Sequence, residues 1–180
     1  TLQKKLAEDL LQRVEWLTEL PSNFKGVIIG NEVLDAIPVN IVHVQGHDIY
    51  ERGIATEAEQ FIWQDKVLSE ASLLDTVTKL NLPEGYVTEV CPAARGLIAS
   101  LASVLQQGVM LMIDYGFSAR EYYHPQRNQG TLMCHYQHYA HTDPLINIGL
   151  QDITAHVDFS QLAMLADVAQ TPHGISLTGY

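Results

Sequence analysis

One hundred and eighty residues suffice for one domain with its own core, and 47% apolar residues with near-zero mean hydropathy (+0.01) describe a soluble, globular chain. Ten basic against 21 acidic residues give a formal net charge of −11. That balance argues against nucleic acid or an anionic membrane as the main partner, since both need basic patches, and fits a cationic ligand or target better, although such acidity is also ordinary for soluble bacterial proteins.

Leu2, Leu6, Leu10 and Leu11 recur at helical spacing between charged residues, so the first dozen residues read as an amphipathic helix. Residues 14–17 are a short strand candidate ended by Pro21 and Asn23. Val27-Ile28-Ile29-Gly30 is apolar on both faces, as a central parallel strand must be when helices cover both sides of a sheet. Asn31-Glu32 follows where that strand would emerge. Residues 39–64 alternate apolar and polar, with turn signals at Gln45-Gly46-His47 and Arg52-Gly53, which is the pattern of an inserted antiparallel meander. A helix over 65–80 leads to Pro83-Glu84-Gly85 and a strand-like stretch at 86–90. Pro92 opens an Ala/Leu-rich helix over 93–107, with Gly108 as its stop. Residues 109–113 form a second buried strand ending in Asp114-Tyr115-Gly116. The stretch 117–150 is long, weakly periodic and rich in His, Tyr, Asn and Gly. Residues 152–157, a helix over 159–170 and residues 174–178 supply a last strand–helix–strand unit.

Strands alternating with helices define an α/β domain with a mostly parallel sheet. Ligands in such sheets bind at the carboxyl ends of the strands, which selects Asn31, Glu32, Asp114 and Tyr115. A strand-end acid can equally cap a helix, a reading open to Glu32 and Asp35. Cys91 and Cys134 have no CxxC spacing and read as free thiols in a reducing compartment. No apolar run approaches the ~20 residues of a membrane span. His135, His138 and His141 lie three apart beside Cys134, but on a strand followed by a loop their rings would not share one face, so no metal is expected. His156 is expected to be a hydrogen-bonded structural histidine. The sequence opens on Thr1 without a Met or a targeting segment and closes on Leu177-Thr178-Gly179-Tyr180, so both ends read as cut.

Four segments in order carry a resemblance. They are Gly30-Asn31-Glu32-Val33-Leu34-Asp35-Ala36-Ile37-Pro38-Val39, then Ile113-Asp114-Tyr115-Gly116, Gly130-Thr131-Leu132, and Asp143-Pro144 through Gly149-Leu150-Gln151-Asp152-Ile153-Thr154-Ala155-His156-Val157-Asp158-Phe159. In this spacing the chain resembles the MidA family, that of the mitochondrial complex I assembly-factor arginine methyltransferase and its bacterial relatives. The resemblance implies a Rossmann-like class I methyltransferase fold, S-adenosyl-L-methionine as cofactor, and a protein arginine as target, by analogy in a respiratory complex I subunit or a bacterial equivalent. Family members carry a glycine-rich loop and a strand-end acid upstream of the position of Thr1. Neither occurs in these residues, so residues 1–180 read as a partial methyltransferase domain, with the meander at 39–64 and a target-facing loop region at 117–150.

Methyl transfer from a sulfonium is an in-line displacement, so the protein chiefly positions two reactants and strips them of water. A guanidinium target is always charged, and a pair of carboxylates can hold it bidentately. Asn31-Glu32 resembles the first half of the two-glutamate loop of better-known arginine methyltransferases, whereas the second glutamate position falls near the apolar Ile41. The resemblance therefore implies Glu32 as guanidinium anchor, with Asp35 or Glu89 as second carboxylate and Asn31 as a cofactor contact. Trp16 and Leu17 would flank the adenine, and Asp114 and Tyr115 would line the target groove. Trp16 could instead be a core tryptophan, and Tyr115 could simply rest its hydroxyl at a wet edge. Two further functions stay open: a non-catalytic module binding a partner through 39–64, and a dinucleotide oxidoreductase, against which the missing glycine fingerprint counts. The implied partner is a protein substrate, without nucleic acid or membrane and with self-association open. The implied compartment is the cytoplasm in bacteria and the mitochondrial matrix in eukaryotes.

Overall fold

The computed structural model of the chain describes residues 8–168, beginning with a single helical turn, α1 (Glu8–Leu11). The β-branched run falls in β1 (Phe24–Asn31). Next come three strands, β2 (Asn40–Gln45), β3 (Asp48–Glu57) and β4 (Gln60–Val67), then α2 (Ala71–Leu80), β5 (Val87–Val90) and α3 (Pro92–Val104). After β6 (Leu105–Ile113) the elements are short: β7 (Gly116–Phe117), α4 (Ala119–Tyr122), a 3-10 turn at Pro125–Arg127, β8 (Met133–Tyr136), β9 (Tyr139–His141), β10 (Asp152–Thr154) and β11 (Val157–Asp158). The last described element is α5 (Phe159–Val168).

β1 runs parallel to β6, with Val27 opposite Val109, Ile29 opposite Leu111 and Asn31 opposite Ile113. Gly26 faces Gly108 in this pair, and a Cβ on Gly108 would strike the Gly26 carbonyl, so the two strands approach only because a glycine is there. The meander is antiparallel throughout, and β5 adds to it beside β2, giving the order β4-β3-β2-β5. β8 lies between β9 and β10, and β11 runs parallel to β7. One core joins Leu34, Ala94, Ile98, Val157 and Leu162, the other Val42, Leu68, Leu73, Val77 and Val90. The second core seats α2 on the meander. That helix starts where Glu70 accepts the amides of Ser72 and Leu73 (3.1 and 2.6 Å) and stops at a left-handed Asn81.

Several expectations need correction. Residues 14–17 form no strand, and Val14, Trp16 and Leu17 stand exposed, because no described strand lies alongside to pair with them. Residues 65–67 extend β4, where Arg52 lies opposite Asp65, so the helix expected from 65 starts at Ala71. The helix expected to reach 107 ends at Val104, because Phe24 already draws Leu105 into the parallel pair. The sheets are not mostly parallel: two described pairings are parallel and five antiparallel. Residues 152–157 split into β10 and β11 on different sheets. Nor are β1 and β6 buried on both sides: Met110 and Met112 pack on the first core, while Val27, Ile29, Val109, Leu111 and Ile113 are 48–68% exposed. Most of the opening helix and all of 174–178 lie outside the described residues.

Candidate active site

The carboxyl ends of β1 and β6 come together as the strand-end rule requires. The Glu32 amide donates to the Ile113 carbonyl at 2.8 Å, extending the ladder by one residue. Glu32 then turns left-handed (φ 50°), which is uncommon for a residue other than glycine. The next two amides, of Val33 and Leu34, both donate to Asp114 Oδ2 (3.0 and 2.8 Å), and the Tyr115 amide donates to Asp114 Oδ1 at 3.0 Å. Asp114, expected to line the target groove, therefore directs its carboxylate at backbone.

Asn31, Glu32 and Tyr115 are all exposed, with the Tyr115 phenol within the influence of the Glu32 carboxylate. Hydrogen bonding to Glu32, then its negative charge, pushes the Tyr115 phenol above its ordinary range. Asp35 sits one turn deeper. Its carbonyl accepts the Ala155 amide (2.9 Å), and its Oδ1 is buried without a hydrogen-bond partner. Burial first, then the charge of Asp114 and more weakly of Glu32, raises the Asp35 carboxyl pKa. The strand ends thus carry three carboxylates and a phenol. Trp16 and Leu17 are exposed on the irregular segment before β1.

Glu89 has a different setting. It is 2% exposed on β5 and accepts the amide and hydroxyl of Thr131, the amide of Leu132 (3.0 Å) and, at 3.4 Å, the Tyr122 hydroxyl. A Cβ at Gly130 would run into the Glu89 carboxylate, which explains the glycine of the Gly130-Thr131-Leu132 segment. Thr131 Oγ1 also accepts the His156 amide at 3.0 Å, tying β5 to the approach to β11. Sequence reasoning missed this clamp. The signal was a glutamate in an otherwise buried strand, which requires donors from elsewhere in the fold. A cavity of about 150 Å³ lies behind it, its walls including Leu34, Glu89, Tyr122, Tyr123, His156 and Asp158. Burial, then the charge of Glu89, pushes the Tyr122 phenol up. Asp158 caps α5 through the amides of Ser160 and Gln161, and burial raises its carboxyl.

His156, expected to be hydrogen-bonded, instead stacks its ring on Phe117 with centroids 5.0 Å apart, and its hydrogen bond to Thr131 comes from the backbone amide. In the β8–β9 hairpin Cys134 lies opposite His141 and His135 opposite Ala140, while His138 occupies the turn with positive φ. Those side chains are dispersed, and among the described residues no three His, Cys, Asp or Glu groups gather as a metal site. Cys91 and Cys134 are free thiols. No described helix is long and apolar enough to cross a membrane.

Parallel strands opening onto an acidic rim, within a mixed α/β chain, form a setting in which ligands bind at the strand ends. The chain belongs to the family of S-adenosyl-L-methionine-dependent methyltransferases, whose model matches residues 1–176. A Burkholderia thailandensis protein crystallised with S-adenosyl-homocysteine is 45% identical, with a TM-score of 0.84 over 91% of this chain and 43% of that one. A native crystal structure from the same organism gives 45% identity and a TM-score of 0.85, with 91% and 44% covered. The Caenorhabditis elegans "Protein arginine methyltransferase NDUFAF7 homolog, mitochondrial" is 26% identical over 159 residues, or 83% of this chain and 34% of that protein. The chain thus spans about a third of the curated relative and less than half of the solved chains. These matches bear out the MidA resemblance, and the family's cofactor is S-adenosyl-L-methionine.

The residues present fit the cofactor at one point. Asn31 stands exposed at the carboxyl end of β1, where its side-chain amide can both donate and accept, whereas the Asp114 carboxylate is taken up by backbone amides.

Proposed function

We propose that this chain forms the target side of a methyltransferase that modifies an arginine side chain of a protein, with Glu32 as the guanidinium anchor. The observation that carries this reading is the state of Glu32: an exposed carboxylate at the emerging end of a parallel strand, in a restrained left-handed turn. Asp114 and Glu89 are engaged by backbone amides, whereas among the described residues no amide engages the Glu32 carboxylate, which stands exposed near the Tyr115 phenol and open to a cation. When bound, the cofactor supplies a methyl group on a positively charged sulfur. Asn31 would contact the cofactor, with Trp16 and Leu17 flanking its adenine. Glu32 would hold the guanidinium with one nitrogen aimed at the methyl, and Asp35 would add negative potential from below. Tyr115 would line the target groove. The resemblance points to a respiratory complex I subunit or bacterial equivalent as target, in the mitochondrial matrix or bacterial cytoplasm.

The test is Glu32→Gln in the native polypeptide carrying this sequence, assayed with tritiated S-adenosylmethionine in source-cell extract for labelled methylarginine. A hydrogen bond to a charged group contributes about 1.5–3 kcal/mol, so turnover should fall about tenfold to a hundredfold. Cofactor affinity should stay near wild type. Asp35→Asn is the matched control, with the smaller effect. Wild-type turnover of Glu32→Gln at saturating extract removes Glu32 from the reaction.

One observation favours a second reading, a non-catalytic partner-binding module. Ile54 lies opposite Trp63 and Thr56 opposite Phe61 on the β3–β4 hairpin, and all three large apolar side chains are exposed. Full retention of the protein's cellular role by a methylation-dead Glu32→Gln would favour that alternative.

A further inference from the structure

We propose that Asp114 is a positioning residue for methyl transfer, pinning the turn that sets where the Glu32 carboxylate points. This inference rests on the reading of Glu32 as anchor.

A non-glycine residue in the left-handed region is strained by about 1–3 kcal/mol and persists only where its surroundings over-determine it. At Glu32 (φ 50°) the restraints are visible. On one side the Glu32 amide is fixed to the Ile113 carbonyl. On the other, the amides of Val33 and Leu34 converge on a single oxygen of Asp114. Two successive amides aimed at one point form a concavity for an anion, and here a side-chain carboxylate fills it with charge-assisted bonds. Asp114 directly follows Ile113, which pairs with Asn31, so the pin is anchored on the neighbouring strand. Its other oxygen accepts the Tyr115 amide, which holds the carboxylate in place and sets Tyr115 beside Glu32.

Remove that carboxylate and two amides lose their acceptor while Glu32 is free to leave the left-handed region. A change of φ to the ordinary helical value near −60° is a rotation of about 110°. It would re-aim a carboxylate three bonds out by far more than the ~1 Å misplacement that can cost about a hundredfold in rate. Asp114 thus acts through Glu32, without touching the target.

The experiment is a double-mutant cycle in the native polypeptide with Asp114→Ala, Glu32→Gln and the double variant. Asp114→Asn keeps an acceptor oxygen in nearly the same shape. Initial rates of tritiated methylarginine formation are followed over a dilution series of source-cell extract, with cofactor affinity by calorimetry and Tm alongside. Asp114→Ala should lower saturating turnover about tenfold or more, with cofactor affinity within about threefold. Asp114→Asn should recover a substantial part of that loss. In the cycle, the double variant should be no slower than Glu32→Gln by more than about twofold, because one lesion already includes the other. Losses that multiply, or an Asp114→Ala that lowers Tm while turning over normally, overturn the inference and leave Glu32 untouched. Wild-type turnover of Glu32→Gln overturns the reading of Glu32 and this inference with it. Should Asp114→Ala not fold, Asp114→Asn enters the same cycle with the same criteria.

Discussion

Glu89 offers a sharp test of how this fold uses a buried carboxylate. In Glu89→Gln the side chain keeps its shape but loses its charge. The best placement leaves the amide oxygen where Oε1 now accepts from the Thr131 and Leu132 amides, and the new NH2 then faces the Thr131 amide, which also donates to Oε2 at 2.9 Å, besides the Thr131 and Tyr122 hydroxyls. Hydroxyls can rotate to accept, although Thr131 Oγ1 already accepts the His156 amide. The loss is then charge assistance on two amide bonds, about 1 kcal/mol each, together with the Thr131 bond to Oε2, or about 2 kcal/mol at least. For a cooperative unit of 150–250 residues that lowers Tm by about 4 °C or more, and for a larger unit by less. Glu89→Leu is harsher, since it leaves both amides without an acceptor in a buried site, at about 1–3 kcal/mol each. The assay is thermal and urea unfolding of the native polypeptide, run beside methylarginine formation. Unchanged melting of Glu89→Gln together with lost methylation would refute the clamp and make Glu89 the second guanidinium carboxylate.

Two further outcomes follow from charge and exposure. Arg52 donates from Nε and Nη2 to Asp65 (2.8 and 2.9 Å), and with His43 it holds the Asp65 carboxyl at about 2, below its ordinary 3.8. A depressed carboxylate contributes stability, about 2 kcal/mol here, that is present above the unfolded pKa and lost as pH falls through the folded one. Melting should therefore drop more steeply between pH 4 and 2 in the wild type than in Asp65→Asn; parallel curves would contradict this. The isolated 180-residue chain should self-associate through the apolar face of β1 and β6, and Ile29→Lys with Leu111→Lys should reduce association in light scattering. A monodisperse wild-type monomer at tens of micromolar would count against that face.

Local pattern made the strand runs, the meander and the Pro92 helix start legible, because alternation, turn glycines and caps are encoded within a few residues. What escaped depends on partners distant in sequence. Val14, Trp16 and Leu17 have a strand's composition, yet a strand exists only where another lies alongside. Asp65 looked like a helix start, but Arg52 thirteen residues earlier holds it in β4. The strand-end rule located Asn31, Glu32, Asp114 and Tyr115, and the fold gathers them. It could not separate their roles, because whether a carboxylate faces solvent or backbone is decided by contacts across 80 residues, such as Asp114 to Leu34.

That separation is the physical centre of the site. A glutamate or aspartate is available to a cationic target only if its charge is not already satisfied by the protein. Glu89 receives four donor groups and Asp114 three amides, so for either to take a guanidinium the fold would first have to break bonds to its own backbone. Asp35 has an unsatisfied oxygen, but it is buried and its ionised form is disfavoured by desolvation and by its acidic neighbours. Glu32 alone among them combines exposure, a strand-end position and a restrained backbone. The neighbouring charges that disfavour ionisation at Asp35 also raise the negative potential above Glu32, where a guanidinium would settle. A cation entering there relieves repulsion among the three carboxylates as well as pairing with one. Its attraction should therefore weaken with salt more than that of a single exposed ion pair.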